Sequence, residues 1–273
     1  MSGSATPAAP LIVQRWRRGR LEPGDDLVAR EEPLEIRVRG RSVAVTMRTP
    51  GHDDELAAGF LLTEGLVRGR EDIIEIAPCT QGAAALTGNV LNVFLAPGVE
   101  VDFARLTRHV FASSSCGLCG KATVDEVHRH FPPLTGGGTV SAAMLLTLPA
   151  RLRAAQAVFE QTGGLHAAAV FDGDGRLIVA REDVGRHNAV DKVLGHGLLN
   201  GLLPFARHVL LVSGRASFEI LQKALAARVP VVAAVSAPSS LAVEFARESG
   251  QTLVGFLRDG TMNLYAGADR LAP

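Results

Sequence analysis

Val209-Leu210-Leu211-Val212-Ser213-Gly214-Arg215-Ala216-Ser217 is the stretch on which the architecture turns. Four apolar residues in a row read as a strand buried on both faces, since a half-exposed strand would alternate. Ser213-Gly214 ends the run, and the small polar residues up to Ser217 open a helix over Phe218 to Ala227. The pattern repeats downstream. Val231-Val232-Ala233-Ala234-Val235 is a second buried strand, Ser236-Ala237-Pro238-Ser239-Ser240 a second turn, Ser240 to Ser249 a helix, and Leu253 to Leu257 a last core strand. Upstream, Leu148 to Thr162 reads as one helix stopped by Gly163-Gly164. Ala167 to Phe171 and Leu177 to Ala180 read as strands around Asp172-Gly173-Asp174-Gly175, and Asn188 to Leu199 as a helix. Continuous apolar strands between helices predict an α/β unit, a largely parallel sheet covered on both faces.

The first part of the chain has a different rhythm. Leu34 to Arg39 alternates, Gly40-Arg41 turns, and Ser42 to Met47 alternates again, which is a hairpin signal. Thr49-Pro50-Gly51 breaks the strand, and Asp53 or Asp54 caps a helix through Leu66 with Leu56, Phe60 and Leu61 on one face. Strands at Ile73 to Ile76 and Val90 to Leu95 complete a ββαββ order, that of a small α+β roll. A short helix from Asp102 to His109, a cysteine loop and a helix from about Thr123 to His130 follow, ended by Pro132-Pro133. Gly136-Gly137-Gly138 marks a joint. The division expected is a disordered tail over 1–20, whose Met1 to Pro10 is rich in Ser, Ala and Pro, a small α+β domain over 21–135 and the α/β domain over 136–273.

Bulk composition narrows the function. Lys+Arg and Asp+Glu stand at 28 each, so a nucleic-acid partner, which leaves a basic excess, is not expected. Aromatics at 5% do not supply a stacking platform for single strands. Three cysteines in 273 residues form no disulfide framework, and free thiols fit a reducing cytoplasm. Arg17-Arg18 is followed by Arg20, Glu22, Asp25 and Asp26 rather than an apolar stretch, which rules out a twin-arginine signal. No apolar run is long enough to span a bilayer.

Two of the cysteines lie in Ser113-Ser114-Ser115-Cys116-Gly117-Leu118-Cys119-Gly120-Lys121. A structural zinc site needs four ligands; no second CxxC is present, Cys79 stands alone, and His109 and His128 would have to complete the set in space. A dithiol redox site sits where an apolar strand meets a helix, and three serines precede Cys116 instead. A third reading is a sulfur carrier, with the thiolate favoured by Lys121 and the backbone N–H groups of the Gly-rich turn. Two incidental thiols are the plain alternative. The second cluster, Arg181-Glu182-Asp183-Val184-Gly185-Arg186-His187-Asn188-Ala189-Val190-Asp191-Lys192, leaves a strand and opens a helix. Free N–H groups at a helix start attract anions, and Arg186 adds a bidentate fork; a capped helix with a solvated start is the plain alternative. Ser213, Gly214 and Arg215 form a second such turn, and the Ser236 turn a third. Ligands of open α/β sheets bind at the carboxyl ends of strands, where these turns gather, so a phosphorylated polar ligand is expected there. No GxxxxGK[ST] is present to support a nucleotide-hydrolysing P-loop. His166 follows Gly163-Gly164 at a strand start and is either a core histidine or a pocket residue.

Together, Ser115 to Lys121, Thr162 to Ala168, Arg181 to Lys192, Ser213 to Ser217 and Gly255 to Tyr265 resemble the FdhD family of formate dehydrogenase accessory sulfurtransferases, over nearly everything after the N-terminal tail. The resemblance implies sulfur taken from a cysteine desulfurase and passed to the bis-guanine-dinucleotide form of the molybdenum cofactor, bound as a substrate before its insertion into formate dehydrogenase. It implies that Cys116 carries the persulfide and Cys119 assists, and that Phe256, Leu257, Arg258, Asp259, Gly260 and Thr261 bind the cofactor. Arg186, His187, Ser213, Gly214, Arg215 and His166 join them as the expected binding surface. It also implies a cytoplasmic homodimer with a cytidine-deaminase-like three-layer α/β/α second domain and no permanently bound metal. Zinc deaminases need H-x-E before P-C-x-x-C. Here Ala168 stands in the Glu position, and the CxxC precedes the His, so deamination is not expected. A chaperone that binds the cofactor without transferring sulfur is the other alternative.

Overall fold

The computed structural model describes residues 6–82, 85, 88–103, 125 and 127–272. The chain opens on a two-stranded hairpin, β1 (Ala8–Arg17) and β2 (Arg20–Ala29), where the sequence reading placed a disordered tail over 1–20. The register Ile12↔Asp25, Gln14↔Pro23, Trp16↔Leu21 puts alternate residues on one side of the ribbon. Pro10, Pro23 and Gly24 interrupt the apolar pattern and hide the strands from a composition reading. Arg18 and Gly19, at φ 48° and 82°, form the two-residue turn that right-handed strand twist favours. Ile12 and Trp16 are exposed.

A four-stranded sheet follows in the order β4-β3-β6-β5, from β3 (Glu32–Val38), β4 (Arg41–Arg48), β5 (Ile73–Pro78) and β6 (Val90–Leu95). Between β4 and β5 runs α1 (Asp53–Thr63), which buries Leu56, Leu61 and Leu62 against Leu34 and Ile36. The expected hairpin and helix of this region are therefore present. The expected 102–109 helix and the CxxC loop lie outside the described residues, as does the start of the 123–130 helix, whose last turn is present at 127–130.

The rest of the chain builds a six-stranded sheet ordered β13-β12-β11-β10-β8-β9. Its strands are β8 (His166–Phe171), β9 (Leu177–Asp183), β10 (Val209–Val212), β11 (Val231–Ala234), β12 (Thr252–Arg258) and β13 (Thr261–Ala266). A minor pairing joins β7 (Val140–Ser141) to β14 (Leu271–Ala272). The sheet is mixed, and this corrects the largely parallel one expected. Only β10, β11 and β12 are parallel neighbours; β8 and β13 run antiparallel to β10 and β12. The turns impose this, because strands joined by a tight turn must pair antiparallel. Asp172 to Gly175 closes β8–β9, and Asp259-Gly260, at φ 53° and 72°, closes β12–β13.

Helices cover both faces. On one lie α2 (Ala142–Ala154) and α3 (Ala157–Thr162), with Leu145, Leu148 and Leu152 packed on Ala169, Phe171, Leu211 and Val254. These two helices replace the single 148–162 helix of the sequence reading. Ser141 caps α2, accepting from Met144 N at 3.4 Å, so the helix begins before Pro149. Glu182 starts α3 anew by accepting from Val158 N and Phe159 N at 3.0 and 2.7 Å. On the other face lie α4 (Arg186–Leu199), α5 (Phe218–Ala226) and α6 (Ser240–Glu248). In α5 the stripe Ile220, Leu221, Ala224, Leu225 is wholly buried; each large member contributes roughly 1.5–3 kcal/mol.

The core does not stop at the glycine joint. One cluster of buried residues runs from Leu34 and Leu56 through Val190 and Leu194 to Ile220 and Leu253. The join is the packing of α1 on α4. A Cβ on Gly59 would overlap the backbone carbonyl of Asp191, and one on Gly195 that of Glu55, so the two helices touch main chain to main chain.

Candidate functional site at the carboxyl edge of the six-stranded sheet

Strand directions decide which residues meet. β9 and β10 both run antiparallel to β8, so the carboxyl ends of β9 and β10 and the amino end of β8 lie at one sheet edge. His166 pairs with Asp183, and Ala168 with Val212. Ala167 N donates to Ser213 Oγ and Ser213 N to Ala167 O, both at 2.9 Å. The His166 ring lies against Gly214, where a Cβ would come within 3.4 Å of Nδ1. The Ser213 and Ser236 turns are pinned together by Ala216 N donating to Ala237 O at 3.2 Å and Ser239 N to Ala216 O at 3.0 Å. Phe256 N donates to Ser236 O at 3.1 Å, which brings the β12 end to the same edge.

The charged segment 181–192 divides into two groups. Most of it is engaged inside the fold. Arg181 makes a forked pair with Glu55 at 2.5 and 2.7 Å. Glu182 caps α3. Asp183, fully buried, accepts from Lys192 Nζ at 2.7 Å, Gly185 N at 2.8 Å, Asn188 Nδ2 at 3.0 Å and Thr49 N at 3.1 Å. Asp191 binds Lys223 at 2.8 Å and Thr63 at 2.9 Å. These interactions clamp the turn from β9 into α4 to the N-terminal part of the chain.

Arg186 and His187 remain. Arg186 Nε is buried with no hydrogen-bond partner, at the first position of a helix whose N-cap, Gly185, has no side-chain cap. A guanidinium and the free N–H groups of a helix start are each suited to an anion. His187 Nε2 sits 3.4 Å from Ser217 Oγ and 3.9 Å from Glu219. Burial, reinforced by Lys223 and Arg186 against the opposing pull of Glu219, lowers its pKa to about 4. His166 is lowered too, by burial and then by Arg186. Both rings are therefore neutral near pH 7, and the positive charge of the edge comes from Arg186 and Arg215. Arg215 is exposed and makes no hydrogen bond or ion pair with another described residue.

The segment 256–261 is the end of β12, its turn and the start of β13. Leu257 is fully buried in the core with Leu145 and Phe171, so its side chain is not presented to a ligand. Phe256, at φ 51°, carries Arg258 over its ring at 5.7 Å, and Thr261 Oγ1 donates to Arg258 O at 3.1 Å. Arg258, Asp259, Gly260 and Thr261 are exposed. Beside the edge, on the α2–α3 face, a cavity of about 450 Å³ is lined by Arg153, Phe159, Gly163, Gly164, His166 and Ser213.

Cys116 and Cys119, the expected sulfur-handling pair, fall outside the described residues. Among the described residues no group of three His, Cys, Asp or Glu side chains is placed to hold a metal ion, and no helix is long and apolar enough to cross a membrane. Sequence reasoning missed the anchoring partners Thr49, Glu55 and Lys223. The only available signal was the presence of buried-type polar residues in α1 and α5; their partners lie up to 160 residues away.

Comparison with known proteins places the chain in a family. A family model described as FdhD/NarQ matches residues 29–272. The curated sulfur carrier protein FdhD of Streptomyces coelicolor is 54% identical over 269 residues, covering 95% of this chain and 94% of its own length. The protein of the same name from Mycolicibacterium paratuberculosis is 56% identical over 245 residues, covering 88% and 90%. The crystal structure of a candidate formate dehydrogenase accessory protein from Desulfotalea psychrophila superposes with a TM-score of 0.76 at 27% identity, covering 97% of this chain and 99% of that one. Both sheets and the edge they support fall within the matched span, and the chain belongs to the FdhD/NarQ family.

Proposed function

We propose that this protein is a sulfur carrier that takes persulfide sulfur from a cysteine desulfurase and passes it to the molybdenum bis-guanine-dinucleotide cofactor, a step required for formate dehydrogenase activity. The observation that carries the reading is the segregation within 181–192. Nearly every charged group there is engaged inward, while Arg186, with an unpartnered buried Nε at a helix start, is left for an anion. A diphosphate bridging nucleoside and pterin supplies such an anion, with Arg186, Arg215 and the α4 N–H groups to receive it. The neutral His166 and His187 offer hydrogen bonds without adding charge.

In this reading Cys116 does the covalent work. Its thiolate attacks the outer sulfur of the desulfurase persulfide, the desulfurase thiolate leaves, and Cys116 becomes the persulfide with no net redox change. Release as sulfide needs two electrons. Cys119 supplies them by attacking the inner sulfur, so hydrosulfide departs to the cofactor and a Cys116–Cys119 disulfide remains for cellular thiols to reduce. The cofactor is substrate, not a resident group. The protein works as a cytoplasmic homodimer with the desulfurase and formate dehydrogenase as partners. The order β9-β8-β10-β11-β12 with helices on both faces supports kinship with the deaminase fold. The H-x-E pattern of a zinc deaminase is broken at Ala168, which is buried in β8 and supplies no proton shuttle.

Mass spectrometry after incubation with desulfurase and cysteine tests the reading. One added sulfur on Cys116, lost in Cys116→Ala, is the expected result. An unmodified protein under conditions that load a control carrier defeats it. A Cys116→Ala protein that still matures active formate dehydrogenase favours the binding-only chaperone.

A further inference from the structure

The hairpin β1–β2 contributes nothing to the site described above and forms a sheet of its own. Its root is held where Ala29 lies against Gly164, and its tip stands clear. The outer end, Gln14-Arg15-Trp16-Arg17-Arg18-Gly19-Arg20-Leu21, holds four arginines and no acid, in a chain whose charges balance. Register sorts these residues onto two sides. Trp16 and Leu21 face each other on the side that carries Ile12, and Arg17 and Arg20 on the side that carries Arg15. Ile12, Trp16 and Leu21 are 75%, 69% and 63% exposed. Arg15 is engaged by Asp26 at 3.8 Å and by Asp25 O at 2.5 Å. Arg17, Arg18 and Arg20 make no hydrogen bond or ion pair with another described residue.

Two features of the tip work against the hairpin itself. Arg17 and Arg20 are like charges directly opposite each other, an unfavourable cross-strand pair. Arg18 sits at φ 48°, where a two-residue turn ordinarily takes Gly, Asn or Asp. Local rules are broken in this way at functional places. An anion before the tip turns the repulsion into shared attraction. A small anion would engage the arginines and leave Trp16 and Leu21 in water. A second copy laid on the Trp16 side would cover the apolar residues and leave the arginines without counter-charge. A protein groove would have to enclose both sides of the ribbon to reach both groups. A fluid boundary that is anionic outside and apolar beneath surrounds a tip entering end-on, with no fitted shape required.

We propose that this tip is a contact for an anionic lipid surface, with Trp16 and Leu21 at headgroup depth and Arg17, Arg18 and Arg20 on lipid phosphates. Tryptophan is enriched at that depth, arginine stems snorkel from it, and the guanidinium fork matches phosphate. Ile12 lies about 13 Å behind Trp16. It pairs with Asp25, whose carboxylate an anionic surface repels, so the contact ends between them. Such a contact is peripheral and needs no spanning helix. Each free arginine near an anionic surface strengthens binding about fivefold, and three together about 100-fold.

Trp16 is the chain's one tryptophan, so its emission reports on this spot alone. The full chain is titrated at low salt with vesicles of phosphatidylglycerol and phosphatidylcholine in equal parts, and with vesicles of phosphatidylcholine alone. The expected result is a blue shift of the emission and partitioning about 100-fold stronger to the anionic vesicles. That preference should vanish at about 1 M salt, where charges act over only about 3 Å. Arg17→Gln/Arg20→Gln should weaken the anionic partitioning about 25-fold, with thermal melting and nucleotide binding at the sheet edge as in the wild type. No blue shift on either vesicle, or equal partitioning to both, overturns the proposal. A blue shift that grows with protein concentration in the absence of vesicles assigns the tip to a second copy and overturns it too. So does polyglutamate that shifts the emission as strongly as the anionic vesicles, which assigns the tip to an acidic polypeptide.

Discussion

Replacing Lys192 with Met removes one half of the buried pair beneath the anion site. Lys192 and Asp183 are 2.7 Å apart with side chains 1% and 0% exposed. Met matches the Lys stem in length and fills the same space, so little packing is lost. What is lost is the charge that compensates Asp183. The carboxylate keeps three donors, from Gly185 N, Asn188 and Thr49 N, but none is cationic. Leaving a buried charge unpaired costs roughly 3–5 kcal/mol, a large share of the about 5–15 kcal/mol that holds a protein folded. For a chain of this size that lowers Tm by roughly 6–20 °C. Lys192 also holds Thr49 O at 2.8 Å, so the turn presenting Arg186 should loosen and nucleotide binding should fall even where the variant is folded. Urea titration and thermal melting of the wild type, Lys192→Met and the double variant Lys192→Met/Asp183→Asn measure the effect. The double variant should recover part of the loss, because Asn can still accept from the neutral donors without a charge to bury. A Lys192→Met variant within about 1 kcal/mol of wild type would refute the claim that this pair is the clamp on the site.

Arg186→Ala should leave Tm nearly unchanged, since Nε has no partner to lose, while nucleotide binding falls about tenfold or more by equilibrium titration. His187→Asn should flatten part of the acid limb of stability. The folded-state pKa of His187 is depressed to about 4, so between the ordinary imidazole range and about 4 the unfolded chain binds more protons; stability is full above that window and falls as pH drops through it. With the side chain 36% exposed, solvent screening reduces the contribution to about 1 kcal/mol, read as the difference between the pH profiles of the two proteins. Gly59→Ala should destabilise by about 3 kcal/mol or more in urea titration, because its Cβ meets a backbone carbonyl that cannot rotate away.

The parts of the fold legible in the sequence were those with a local signature. Val209 to Val212 and Val231 to Ala234 are apolar throughout because both of their faces are covered, and the structure has them as central strands. The mixed sheet direction was written in Asp172 to Gly175 and Asp259-Gly260, tight turns whose antiparallel consequence the run of apolar strands obscured. The N-terminal hairpin was not legible because Pro10, Pro23 and its many charges resemble disorder, and only pairing across Arg18-Gly19 reveals one apolar side. At the edge, the gathering of the Arg186 and Ser213 turns followed from the rule that ligands meet the carboxyl ends of strands; His166, at the amino end of β8, joins them only because β8 runs antiparallel to β9 and β10. The division of labour within 181–192 did not. Whether a charge faces inward depends on Thr49, Glu55 and Lys223, none adjacent in sequence.

The main-chain contact of α1 and α4 has a consequence for anyone dividing this protein. Cutting at Gly136 to Gly138 would strip α4 of its cover and bare Val190, Val193 and Leu194, while the N-terminal half would expose Leu56 and Leu61. Neither fragment would be expected to stay in solution alone. A label, reporter or split point belongs instead at Arg18-Gly19, where the hairpin tip stands clear and nothing lies within 4 Å of a Cβ placed on the glycine.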